Sequence, residues 1–269
     1  MVIRDSSIDN GQEFDWGRAS KEYAQYRDIY PEKFYTELAG LSLGIEGQEA
    51  LDLGTGTGVI PRNMYHYGAT WTGADISENQ IAYAEELSRE AGMDIRYVVS
   101  SAEEVDFPDK SFDVITACQC FMYFDTKIVL PKIHRMLKPG GHFCILFMAW
   151  LPEESEIANG SEELVLKYNP CWTGGHMKRV PLQTPIWCGD LFEVSELLAF
   201  DVPVTFTRES WHGRMKACRG ISASLEPEKI AAWEKEHMAY MRTVPEVFDV
   251  LHYVTMVDVR KKVSLWQMY

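Results

Sequence analysis

The sequence predicts an α/β protein built on a doubly wound, mostly parallel sheet, and three observations carry that reading. Short apolar runs alternate with helical periods between residues 49 and 148, the pattern of strand–helix units feeding a parallel sheet. The run Ala50-Leu51-Asp52-Leu53 ends in Gly54-Thr55-Gly56-Thr57-Gly58, with Pro61 just beyond. The next apolar run ends at an acid, Asp75, twenty-one positions after Gly54.

In chain order, residues 1–13 are polar and suit a frayed end. Phe14–Leu43 has a helical, aromatic pattern interrupted at Pro31. Strands are expected at 49–53, 70–74, 95–99, 112–117 and 142–148. Helices are expected at 59–67, 77–91 and 128–137. Ser77 followed by Glu78 is a helix start, and Leu137-Lys138-Pro139-Gly140-Gly141 is a turn rich in breakers. From Ala149 to Gly189 tryptophans lie among Pro, Gly and acidic residues, as in an insertion that is helical near 162–168. Leu191–Phe200 is expected to be helical and Val204–Trp211 extended. The same reading makes 215–222 and 227–241 helical and gives a closing strand at 248–260.

Glycines at alternate positions permit positive φ and let a ligand approach the backbone, and Pro61 suits a first helical turn because its missing N–H costs nothing there. An acid at the spacing of Asp75 sits where it can accept hydrogen bonds from a ribose diol. The ligand is therefore of nucleotide type. A dinucleotide fingerprint needs a third small residue at position 59, and Val59 stands there, which argues against a nicotinamide-dependent oxidoreductase.

Five motifs in register resemble the class I S-adenosylmethionine-dependent methyltransferases, in the branch acting mostly on small molecules (UbiE-like and trans-aconitate methyltransferase-like). They are Leu51–Gly58, Gly73–Gln80, Ser101-Ala102-Glu103, Phe107–Val114 and Leu137–Phe143. The resemblance implies a Rossmann-like sheet of seven strands, mostly parallel with an antiparallel last strand, plus an inserted cap. It implies four segments: an N-terminal lid (1–44), a cofactor-binding core (45–148), a cap (149–189) and a C-terminal part completing the sheet (190–269). It implies S-adenosylmethionine as cofactor and S-adenosylhomocysteine as product. Gly54, Thr55, Gly56, Asp75, Ile76, Ser101, Ala102, Glu103 and Cys118 are the expected cofactor contacts. The lid motif Tyr23-x-x-Tyr26-Arg27-x-x-Tyr30-Pro31 adds Arg27, set to meet the methionine carboxylate, and aromatic rings that attract a sulfonium by about 0.5–2 kcal/mol. Ser101 departs from the family, which often has Asp there.

Methyl transfer requires alignment and exclusion of water, and a base only where the acceptor must lose a proton. His212, read as following a strand directly, is the base candidate. Tyr123 and Trp211 are candidate pocket walls, and Arg214 or Arg219 would anchor a carboxylate. A metal at Cys118 and Cys120 would need ligands from Cys171, His176 or Cys188, so small buried thiols are preferred and no metal is expected. The Pro170-Cys171 pair falls after the fifth strand, the wrong place for a cytosine nucleophile.

Composition agrees. Hydrophobic residues make up 46% and charged residues 25%, ordinary for a globular chain with a full core. Forty acidic against 26 basic residues give a net charge of −14, a field that repels polyphosphate backbones and disfavours nucleic acid. No run has the length of a membrane span and the first residues lack a signal-peptide layout, so a cytoplasmic enzyme with a small-molecule substrate is expected. The alternative is a cofactor-binding module with other chemistry or none.

Overall fold

The structure is a computed structural model that describes residues 2–262. Seven strands form one sheet: β1 (Glu49–Leu53), β2 (Thr70–Asp75), β3 (Arg96–Val99), β4 (Phe112–Cys118), β5 (Leu137–Trp150), β6 (Phe192–Thr207) and β7 (Val247–Lys261). Their order is β3-β2-β1-β4-β5-β7-β6. β1 pairs in parallel with β2 on one side and with β4 on the other. The sheet thus winds outward in both directions from β1, and the gap above β1 and β4 is its topological switch point. β3 and β5 extend the parallel set. β7 runs against both neighbours. His142 of β5 meets Asp258 while Leu151 meets Leu251, and Glu193 of β6 meets Arg260 while Thr205 meets Asp249. The expected sheet, with its antiparallel last strand, is the observed one.

The helices are α1 (Ser20–Tyr26), α2 (Glu32–Gly40), α3 (Val59–Met64), α4 (Glu78–Glu90), α5 (Thr126–Met136), α6 (Glu156–Tyr168), α7 (Arg208–Lys216) and α8 (Pro227–Met241). Their starts follow local chemistry: Ser77, Asp125 and Ser155 each accept a hydrogen bond from a first-turn N–H of α4, α5 and α6.

The chain divides into two compact units. One gathers the described residues of Glu32–Met148, Pro181–Phe200 and Val254–Tyr269. Its core joins Leu51 and Leu53 of β1, Ile115 of β4 and Phe143 of β5 to Val129, Ile133 and Met136 of α5, with Phe192 and Val259 closing it. Each such burial contributes roughly 1.5–3 kcal/mol. The other unit gathers the described residues of Met1–Pro31, Ala149–Val180 and Asp201–Tyr253, around Trp150, Trp211, Trp233, Phe206 and Phe248. Two of its buried indoles are paired: Trp150 Nε1 donates to Glu162 at 2.6 Å, and Trp211 Nε1 donates to Ser161 Oγ at 2.9 Å.

Three stretches differ from the sequence reading. Leu191–Phe200, expected to be helical, is the first half of β6, because the pairing with β7 overrides the local preference of Leu197-Leu198-Ala199. The strand expected to reach Trp211 stops at Thr207, where Thr207 and Ser210 form a capping box and start α7. The helix expected at 215–222 is therefore α7, shifted toward the N-terminus. The breakers at 137–141 lie within β5, which absorbs them through a register shift against Phe112 and Val114. Among the described residues no helix is long and apolar enough to cross a membrane.

Asp9 is fully buried and accepts hydrogen bonds from Thr173 N at 2.7 Å and Arg219 Nε at 2.7 Å. Removing one partner of a buried pair leaves the other charge uncompensated. Asp9→Ala is therefore expected to lower stability by about 3–5 kcal/mol, read as a shifted urea midpoint.

Candidate active site

β1 delivers the chain to the carboxyl edge of the sheet, and Gly54, Gly56 and Gly58 take the turn with φ of 64°, 57° and 74°. Side chains adopt this left-handed region only at a cost. Space also demands glycine: a Cβ at Gly58 would lie 2.3 Å from the Tyr97 hydroxyl oxygen. That hydroxyl pairs with Ser88 Oγ at 2.9 Å, which fixes the ring against the loop.

The loop is held from β2. Thr55 N–H donates to the Ala74 carbonyl at 3.0 Å, and Gly56 N–H donates to Asp75 Oδ2 at 2.8 Å. The other oxygen of Asp75 accepts from Ser77 N–H at 2.9 Å. One carboxylate thus ties the glycine loop to the start of α4. Burial raises the pKa of Asp75, and the amides of Ser77 and Gly56 oppose that rise. Ser100 N–H donates to the Asp75 carbonyl at 2.9 Å, bringing the end of β3 to the same edge.

Ile76 follows Asp75 and is half-buried. Ser101 Oγ accepts from Glu104 N–H at 3.1 Å and so organises the turn in which it stands. Ala102 is buried in the core of this unit, and the Glu103 carboxylate accepts from Asp125 N–H at 2.9 Å, at the start of α5. β4 ends at Cys118. Gln119 then turns left-handed at φ 62° and its side-chain amide donates to the Met148 carbonyl. Cys118 and Cys120 therefore do not continue one extended strand. Cys120 Sγ donates to the Leu53 carbonyl at 3.1 Å and occupies the space beside Gly54. All six cysteines are free. Tyr123 closes the short turn that follows, its N–H donating to the Cys120 carbonyl at 2.9 Å.

Asp52 is not singled out by the sequence reading, yet it is a strongly perturbed acid at this edge. It is buried on β1 and accepts from Thr116 Oγ1 at 2.6 Å. Burial pushes its pKa up to about 7, and Asp75 adds to the rise. A lone acid inside an otherwise apolar strand is the signal that finds it.

The remaining candidates belong to the other compact unit. Trp211, His212 and Arg214 stand in α7, not at a strand tip. Trp211 is fully buried, with Phe206 at 4.9 Å and Trp150 at 5.6 Å between ring centres, so its indole is a core anchor. His212 stacks on Trp233 at 5.2 Å and shares Nδ1 with His237 Nδ1 at 2.8 Å. Burial lowers its pKa. Arg214 is buried, with its guanidinium 4.8 Å from the Trp150 ring, while that of Arg27 lies 4.7 Å from Tyr23.

Residues 51–145 match a family model described as a methyltransferase domain. The chain is 31% identical over 176 residues to a ubiquinone biosynthesis O-methyltransferase of Pseudomonas entomophila, spanning 64% of this chain and 74% of that protein. It is 30% identical over 181 residues to the protein of that name from Pseudomonas syringae pv. tomato, spanning 65% and 75%. Among solved structures, the YcgJ protein of Bacillus subtilis aligns with a TM-score of 0.54 and 16% identity, over 87% of this chain and 100% of that one. The [4+2]-cyclase SpnF aligns at 0.50 and 19%, over 86% and 81%. At such identities the structural likeness is one of fold. The chain belongs to the class I S-adenosylmethionine-dependent methyltransferases, in the branch that acts on small molecules. It uses S-adenosylmethionine as methyl donor, with S-adenosylhomocysteine as product.

The residues present fit that cofactor. Each oxygen of Asp75 accepts one backbone N–H, and a carboxylate offers about four lone-pair sites, which leaves capacity for a vicinal diol. The glycine loop exposes backbone without Cβ atoms, and the Thr57 hydroxyl within it is buried without a protein partner. The Asp75 carboxylate, at the end of β2, suits a ligand that carries positive charge.

Two outcomes are expected here. Asp75→Ala should weaken S-adenosylhomocysteine binding roughly ten- to hundredfold, since hydrogen bonds to a charged acceptor contribute about 1.5–3 kcal/mol; titration calorimetry reads it. The native state holds a proton on Asp52 up to about pH 7, whereas an ordinary Asp releases it near 3.8. In that window the native state binds more protons, so stability falls as pH rises, by at most about 1.4 kcal/mol per pH unit. Asp52→Asn should flatten this slope in denaturant titrations across the same range.

Proposed function

We propose that this enzyme methylates an oxygen atom of a small organic acceptor, a hydroxyl or a carboxylate. In this reading residues 45–148 bind the donor, residues 1–44 close on it as a lid, and residues 149–189 with parts of 190–269 select the acceptor (263–269 lie outside the described residues). The observation that carries it is the glycine loop fixed by Asp75 at the switch point of the sheet. The two Pseudomonas relatives named as O-methyltransferases support oxygen over nitrogen or carbon as the accepting atom.

When bound, S-adenosylmethionine supplies a methyl group activated by its sulfonium. Gly54, Thr55 and Gly56 present backbone to the donor, Asp75 accepts from its ribose, and Ile76 offers the adenine an apolar surface. Ser101, Ala102, Glu103 and Cys118 border the base and the donor's reactive end. Orientation of this kind contributes up to about 7–11 kcal/mol. A carboxylate acceptor is already ionised and needs no base, whereas a hydroxyl must lose its proton. His212 is the base proposed for the second case, because burial keeps it neutral at pH 7. Tyr123 and Arg214 are assigned to the acceptor side, and Trp211 stays a core ring. The net charge of −14 supports an acceptor other than nucleic acid, and six free thiols support a cytoplasmic setting.

Calorimetry with S-adenosylhomocysteine, with NAD as control, is the first test: binding of the former alone is expected, and NAD binding instead would sink the reading. With labelled methyl donor and a panel of phenols, carboxylic acids and amines, label is expected in an ether or ester. His212→Gln then separates the two chemistries. A hydroxyl acceptor predicts a kcat loss of roughly 10²–10⁴, and a carboxylate acceptor predicts an unchanged kcat, with S-adenosylhomocysteine affinity unaltered in both.

A further inference from the structure

The unit formed by residues 1–31, 149–180 and 201–253 buries a chain of hydrogen bonds that runs through two histidines. Its direction follows from where the protons are. Ser161 of α6 has one hydroxyl proton, which it donates to the Ile157 carbonyl at 2.8 Å. Its oxygen accepts from Trp211 Nε1 at 2.9 Å and lies 3.0 Å from Nε2 of His237 in α8. With the hydroxyl proton committed to the carbonyl, the proton between Ser161 and His237 belongs to His237 Nε2. His237 is fully buried, and burial, with His212 beside it, brings its pKa down to about 3. Its ring is therefore neutral at pH 7 and carries that proton alone, so Nδ1 is a bare acceptor. Nδ1 of His212 in α7 lies 2.8 Å away. A contact that short needs a proton, and His212 supplies it.

A neutral His212 has then spent its proton on Nδ1, and its Nε2 carries a lone pair. The opposite direction would take the Ser161 proton from the Ile157 carbonyl and place one on His212 Nε2. The carboxylate facing that nitrogen, Glu234 Oε1, stands at 3.9 Å, outside hydrogen-bond range. Trp233 stacks on both rings, 5.2 Å from His212 and 4.7 Å from His237 between centres. The charged groups facing His212 are Glu234 and Lys216, which pair at 2.8 Å, and Lys216 reaches on to Glu22 at 3.1 Å. Tyr240 faces His237 at 6.2 Å. Burial and Lys216 disfavour a charged His212, and Glu234 favours one.

We propose that Ser161 and His237 are positioning residues that hold His212 as its Nδ1–H tautomer, leaving Nε2 as its proton-accepting atom. The catalytic use of that atom rests on the reading of His212 as base and deepens it. The hydroxyl proton of the acceptor goes to Nε2, and the imidazolium so formed keeps its Nδ1–H on His237. A base oriented by a third group in this way is ready without rearrangement.

The test uses the full chain with ¹⁵N-labelled histidine rings, observed without ligand in long-range proton–nitrogen spectra, with His212→Gln assigning the His212 signals. Protonated-type shifts are expected at His212 Nδ1 and His237 Nε2, and bare-type shifts at the other two nitrogens. As pH falls, His212 should gain its proton at Nε2 while His237 stays neutral. A proton on His212 Nε2 at neutral pH overturns the proposal. His237→Phe keeps a ring against Trp233 and removes the acceptor, so the His212 proton should spread over both nitrogens. His237→Asn, whose side-chain oxygen accepts from Nδ1–H, should restore the single tautomer. A tautomer that does not change in His237→Phe also overturns the proposal. With a phenol that accepts labelled methyl, His237→Phe should lower kcat roughly ten- to hundredfold, part of the about 10²–10⁴ that a base supplies. KM and S-adenosylhomocysteine affinity should hold, and His237→Asn should recover kcat. Should His237→Phe not fold, Ser161→Ala, which leaves His237 Nε2–H without its acceptor, gives the same readouts. If no hydroxyl acceptor is labelled, or His212→Gln leaves kcat unchanged, the base reading falls instead, and the spectra of the unmodified chain still decide the tautomer.

Discussion

The carboxylate of Asp75 is the constraint on which the donor side depends. A loop with three glycines in left-handed conformations has few side chains with which to hold itself, and ordering such residues carries the largest backbone entropy cost. Asp75 supplies the restraint from the neighbouring strand, one oxygen on Gly56 N–H and the other on Ser77 N–H. The Thr55–Ala74 backbone bond and the Tyr97 ring packed over Gly58 and Gly73 complete the clamp. The acid expected to read a ribose is thus also the group that shapes the loop beside it.

Charge is distributed to match this division of labour. Asp52 and Asp75 stand on adjacent parallel strands; burial raises both pKa values, and the charge of Asp75 adds to the rise at Asp52. Such an edge favours a cationic ligand.

The fold itself leaves the acceptor open. One structural neighbour is described as a [4+2]-cyclase, a reminder that a sheet of this topology hosts more than one reaction. The segments whose aromatic and basic residues would distinguish acceptors are those where local sequence was the weaker guide: 149–180 and the region after β6.

The sequence by itself determined the glycine loop and the strands that carry it. Glycine spacing, an acid twenty-one residues on, and apolar runs of strand length are local signals, and each maps onto β1, the loop, β2 or β4 within a residue or two. Only the tertiary structure decided the rest. β6 is a strand because β7 pairs with it, and that partner lies more than forty residues away in sequence. Trp211 became a core ring and His212 a stacked, paired histidine once Thr207 and Ser210 capped α7. The Tyr26 ring packs on Gly213, a contact between residues almost two hundred positions apart that no periodicity records. Local pattern fixes where backbone must bend or bury; which distant charges then face one another is set by packing.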